Sequence, residues 1–165
     1  MMNLRVLVVL CSYIYILSSC CNTKGIFTKD RINYEYEAQA VNSSKNADGT
    51  ILIKSWGTDT KVRKAKEQAK RNALRSLMFK GIPGSAVKRP LINEPGAEEK
   101  HRDYFARFFS EGGMYNQYIV ETKSVDARDY IKSGCMYRVG MNLKINYLAL
   151  QRELENSNIT KKFGI

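Results

Sequence analysis

KVRKAKEQAKRNALRSLMFK, residues 61–80, is the stretch on which the fold turns. Val62, Ala65, Ala69, Ala73 and Leu77 recur at three- and four-residue spacing, which at 100° per residue makes one narrow apolar stripe on a helix. Alanine on a buried stripe lets a helix axis lie close to its neighbour, and a sheet is the neighbour that the flanking sequence provides. Thr58, Asp59 or Thr60 can cap the start, Gly81 offers a left-handed stop, and Pro83 prevents continuation. Leu74 and Met78 fall off the stripe, so the C-terminal end of this helix is expected to meet a second element. Its opposite face carries Arg63, Lys64, Lys70, Arg71 and Arg75, with Glu67 among them.

Strand signals lie on both sides. Tyr34 to Val41 alternates, with Tyr34, Tyr36, Ala38 and Ala40 on one side, and after a turn-rich stretch Thr50 to Trp56 is a second β-rich run that completes an antiparallel hairpin. Tyr115 to Val125 is rich in β-branched and aromatic residues, and Tyr137 to Ile145 alternates cleanly. The Ser133-Gly134 pair is the expected turn before it. Three further segments complete the chain. Pro83 to Gly96 holds all three prolines and reads as a surface loop; an aromatic helix runs from Glu98 to about Glu111; Asn146 caps a C-terminal helix to about Asn156. The predicted fold is α+β: an antiparallel sheet of about four strands packed on the alanine-striped helix.

The N-terminus reads as an address. Arg5 precedes an apolar run from Val6 to Leu17, followed by Ser18, Ser19 and Cys20, the layout of a secretory signal. That run is shorter than the roughly 20 residues that span a bilayer. Leu17-Ser18-Ser19-Cys20 resembles the lipobox of bacterial lipoproteins. The resemblance implies that Cys20 is lipidated and becomes the new N-terminus, with residues 1–19 removed, 20–32 a tether and 33–165 one domain. A soluble secreted protein cut nearby is the other reading of the same signal.

Whole-chain net charge is +11, and loss of Arg5 with the signal leaves +10. Inside a cell such a balance points first to nucleic acid, but an exported chain meets anionic lipid, cell-wall polymers and acidic proteins instead, so no nucleic acid partner is expected. Once Cys11 is removed and Cys20 lipidated, Cys21 and Cys135 remain. They can form one bridge at most; a free Cys135 packed as a small apolar residue is the expectation.

The order strand, strand, alanine-striped helix, strand, strand, short helix resembles a group of small exported domains found in outer-membrane lipoproteins and in the N-terminal part of a periplasmic flagellar-assembly protein. Trp56-Gly57, the stripe Ala65, Ala69, Ala73 and Leu77, and Tyr137-Arg-Val-Gly-Met-Asn-Leu-Lys-Ile145 leading to Leu150 and Leu154 carry it. Phe79-Lys-Gly-Ile82 and Tyr104-Phe-Ala-Arg-Phe-Phe109 are similar to small uncharacterised lipoproteins of Gram-negative anaerobes. The resemblance implies a periplasmic, non-enzymatic accessory role.

The expectation is a membrane-anchored binding or assembly component of an envelope complex, at the outer membrane and facing the periplasm, with an envelope protein as partner and no cofactor or metal. An envelope hydrolase is the alternative, built on carboxylates among Glu98, Glu99, Asp103 and Asp126; a module binding nucleic acid or anionic lipid is the third. His101 is the only histidine, with no nucleophile motif near it, and Cys21 and Cys135 lack zinc-ligand spacing. Two surfaces are candidates for docking: the basic face Arg63, Lys64, Lys70, Arg71 and Arg75, and the aromatic cluster Tyr104, Phe105, Phe108 and Phe109.

Overall fold

The computed structural model describes residues 38–41, 48–123 and 126–161, with backbone alone at 121–123. All lie in one compact unit, Tyr34–Ile165. The signal, Cys20, the tether and the first residues of the first strand lie outside the described residues.

Five strands make one antiparallel sheet: β1 (Ala38–Ala40), β2 (Thr50–Asp59), β3 (Ile119–Lys123), β4 (Tyr130–Ser133) and β5 (Met136–Asn146). β2 and β5 form its spine, paired from Thr50↔Asn146 to Asp59↔Tyr137. β1 flanks β2, while β3 and β4 pair with opposite ends of β5 and share its other edge. The sheet is therefore four strands wide, and the fold is α+β as the sequence predicts.

Alternation decides which face is inside. Ile51, Ile53, Ser55 and Gly57 of β2 and Val139, Met141, Leu143 and Ile145 of β5 are buried on one face. Helix α1 (Val62–Phe79) lies across that face with Ala65, Ala69, Ala73 and Leu77 fully buried. At Gly57 the two come into close contact, since a Cβ there would stand 2.5 Å from Ala69 N and closer still to Ala65 O. Burial of Ile53, Leu143 and Ile145 stabilises the contact by about 2 kcal/mol each.

Helix α1 begins without a side-chain cap at Lys61, whose N–H donates instead to Asp59 Oδ1 at 3.0 Å. Three of its last four carbonyls find donors. Gly81, at φ +75°, donates to Ser76 O at 2.8 Å, and Leu91 N and Ile92 N donate to Leu77 O and Met78 O at 3.1 and 2.9 Å. The segment read as a surface loop is thus a strap that buries Ser85, Val87 and Ile92 and closes two of the helix's free carbonyls. Leu74 and Met78 are fully buried at this end.

Three other expectations change. The aromatic helix is broken at His101 (φ −111°, ψ 35°) into α2 (Ala97–Lys100) and α3 (Arg102–Phe108). The strand expected from Tyr115 starts as a 3-10 helix, Met114–Tyr118, because Tyr115 and Tyr118 turn into the core, and β3 begins only at Ile119. Cys135 is disulfide-bonded rather than free. It follows the exposed Ser133-Gly134 turn and is half-buried, so the core packing that would keep a lone thiol inert is missing. Asn146 does cap the last helix, α4 (Tyr147–Asn156), accepting from Ala149 N at 2.9 Å, and buries Leu150 and Leu154 beneath it. Among the described residues no helix is long and apolar enough to cross a membrane.

Candidate functional site

Four of the five cations on the α1 face have partners inside the domain. Arg63 meets Glu111 at 2.8 Å, Lys70 meets Glu67 at 2.9 Å, and Arg75 meets Glu98 at 3.1 Å while lying 4.6 Å from the Phe109 ring centre. Arg71 sits 5.4 Å from the ring centre of Tyr115. Lys64 is exposed. This face is largely the seam between α1 and the aromatic segment, because α3 and the 3-10 helix fold back onto it. Tyr115 donates to Glu67 at 2.6 Å; burial, then the carboxylate, raises its pKa. Burial pushes Glu67 upward too, but hydrogen bonds from Tyr115 and Lys70 and the Lys70 and Arg71 charges outweigh it and hold the carboxyl below its ordinary value.

The aromatic cluster is core. Phe105, Phe108 and Phe109 are buried and Tyr104 is half-buried, with Phe108 stacked on Tyr118 at 5.8 Å and Phe105 against Phe79 at 5.4 Å. Tyr104 donates to Glu153 at 3.4 Å, and burial drives its pKa upward. Of the four carboxylates, Glu99 and Asp103 line one shallow hollow with His101, whose Nε2 is buried and unpartnered. Glu98 is in its pair with Arg75, and Asp126 holds Arg128 at the start of the second 3-10 helix, Ala127–Asp129. The described residues contain no group of three metal-ligating side chains.

A different surface lies on the sheet face away from α1. The register puts Trp56 opposite Gly140, and a Cβ on Gly140 would stand 2.8 Å from Trp56 Nε1, so the indole rests directly on the β5 backbone. Lys54 Nζ and the Arg138 guanidinium lie 5.4 and 5.9 Å from the ring centre. Lys54 is held in turn by Asp129 at 2.6 Å. In the next row Arg138 pairs with Ile131 of β4, which is 52% exposed. All four residues of β4 are exposed, and among the described residues β4 pairs with β5 alone. Its outer edge therefore offers backbone donors and acceptors beside the exposed Ile131 and a fixed indole.

Nothing in the sequence drew attention to this surface. Trp56-Gly57 reads as a strand end, whereas β2 continues to Asp59 and makes Trp56 an interior residue. Gly140 inside an alternating strand was the available signal, since such a glycine marks a close approach. Comparison with protein-family profiles, curated proteins and solved structures finds no match for this chain.

Proposed function

We propose that this chain is a lipid-anchored envelope protein that works by binding, adding an extended segment of a protein partner to the β4 edge of its sheet. The observation that carries the reading is that edge: exposed β4, with Ile131, Arg138 and Trp56 on the face beside it. Main-chain hydrogen bonds along an unpaired strand supply affinity, and side chains on one face supply selection. Native sheets usually protect such edges, and Lys132 is the one charged side chain on β4.

The anchor rests on Leu17-Ser18-Ser19-Cys20. No acidic residue stands among Cys21, Asn22, Thr23 and Lys24, which favours the periplasm-facing leaflet of the outer membrane over retention at the inner one or export to the surface.

Photocrosslinking from position 131 in intact cells tests the proposal. A benzophenone residue replacing Ile131 captures a defined envelope protein, the same residue replacing Lys64 does not, and Cys20→Ala reduces the product. Capture from position 64 but not 131 would overturn the edge. An intact mass lacking acyl chains on Cys20 would overturn the anchor.

A further inference from the structure

The strap does more than close α1. A Cβ on Gly81 would collide with Lys88 O and lie 2.7 Å from Arg89 C, so the strap backbone is pressed onto the glycine at the very point where Lys88 and Arg89 leave it. Ile82 N donates to Val87 O at 2.7 Å, and Val87 N donates to Ser85 Oγ at 3.0 Å, on one side of these residues. Leu91 and Ile92 are bonded to α1 on the other. Two exposed cations are thereby mounted on a braced segment.

They line a groove of about 470 Å³ between the strap and α4, with Pro90, Asn93, Tyr147 and Gln151. The size suits a small polar ligand. No carboxylate lines the groove, and among the described residues neither cation has an acidic partner. The contrast with α1 is direct, because Arg63, Lys70 and Arg75 each have an acid of their own. Lys88 and Arg89 are adjacent like charges held together by the backbone, and an anion between them relieves their repulsion. Tyr147, Asn93 and Gln151 add hydrogen-bonding groups around an apolar wall, the mixed lining that a phosphodiester with a glycerol-like substituent would meet on both sides.

We propose that this groove binds the phosphodiester headgroup of an anionic lipid, so that the domain rests with its strap and the start of α4 against the membrane that Cys20 is anchored in. The inference rests on the anchored reading above, which provides the membrane at high local concentration. Each basic residue near an anionic surface raises association by about fivefold, so the pair is worth on the order of 25-fold. The β4 edge belongs to a separate element, so both surfaces can be occupied in one molecule.

The test uses the mature acylated protein in vesicles of phosphatidylcholine, with or without phosphatidylglycerol, read by hydrogen exchange in peptides covering residues 84–93 and 147–152. Phosphatidylglycerol slows exchange in both peptides, and Lys88→Gln/Arg89→Gln, which keeps much of each side-chain stem, abolishes the difference while its far-UV spectrum is unchanged. Equal exchange in the two vesicle types overturns the proposal. So does protection by millimolar inorganic phosphate in phosphatidylcholine vesicles without protection by phosphatidylglycerol, which identifies a soluble phosphate as the ligand. Failure of the anchored reading is seen separately, as an intact mass without acyl chains.

Discussion

Gly57 and Ala65 bring β2 and α1 together with no side chain between them: the space that a Cβ on Gly57 would take is occupied by the carbonyl of Ala65 and the amide of Ala69. Neither obstacle is a side chain that can swing away. Gly57→Ala must therefore lift the helix from the sheet, with a loss of about 3 kcal/mol that exceeds the small gain from a stiffer unfolded chain. The urea midpoint is expected to fall by roughly 1–2 M. An unchanged midpoint would mean that helix and sheet are not packed in this register.

Gly140→Ala is a different perturbation, because the first atoms it meets belong to the Trp56 side chain and to Asp129 Cβ. The indole is pushed off the strand and its cations lose their place over the ring. Trp56 is the only tryptophan, so its fluorescence reports this surface alone. Emission is expected to shift to longer wavelength, with a stability loss of only about 1 kcal/mol. Loss of crosslinking from position 131 in the same variant would tie the indole to partner capture.

Acid should weaken the seam between α1 and the aromatic segment. Glu67 has its pKa lowered from the ordinary 4.5 by Tyr115, Lys70 and Arg71 against the upward push of burial. A carboxyl depressed in the folded state binds fewer protons there than in the unfolded chain, so its contribution is present above about 4.5 and is lost as pH falls through the folded value. Stability measured from pH 7 to pH 3 should decline less steeply for Glu67→Gln than for the wild type. Parallel curves would remove Glu67 from the account.

Disulfide mapping of the mature protein checks chemistry and anchoring together. On the proposed reading, in which Cys11 is removed and Cys20 acylated, Cys21 is the one thiol left to pair with Cys135. Non-reducing peptide mass spectra should show that bridge, and Cys135→Ser should lower stability by about 5 kcal/mol on chain-entropy grounds. A Cys20–Cys135 bridge would leave no thiol to acylate and would end the lipoprotein reading.

Periodicity was legible and exposure was not. The alanine stripe announced α1 because a period of 3.6 is written directly in Ala65, Ala69, Ala73 and Leu77, and β5 announced itself through Val139, Met141, Leu143 and Ile145. Asn146 and Gly81 were readable as caps because each does its work locally, through one side-chain oxygen or one positive φ. Tyr115 to Tyr118 was misread as strand because aromatic composition favours β structure, while tertiary contacts turn both tyrosines into the core. The ion pairs of the α1 charges are not readable from the helix itself, since the partners Glu98 and Glu111 are distant in sequence. The β4 edge was invisible for a similar reason: which strand lies outermost depends on the pairing order of all five.

The strap also bears on resistance to proteolysis. Lys88 is the residue type that trypsin-like proteases seek, set in an exposed, proline-rich stretch, while the bond after Arg89 is shielded by Pro90. A protease must draw such a stretch into its cleft in extended form, freed from its surroundings. Here the backbone is bonded at Ile82 and Val87 before the two cations and at Leu91 and Ile92 after them. Cleavage at Lys88 therefore waits for the last turn of α1 to open, and this exposed bond is guarded by the stability of the helix beneath it.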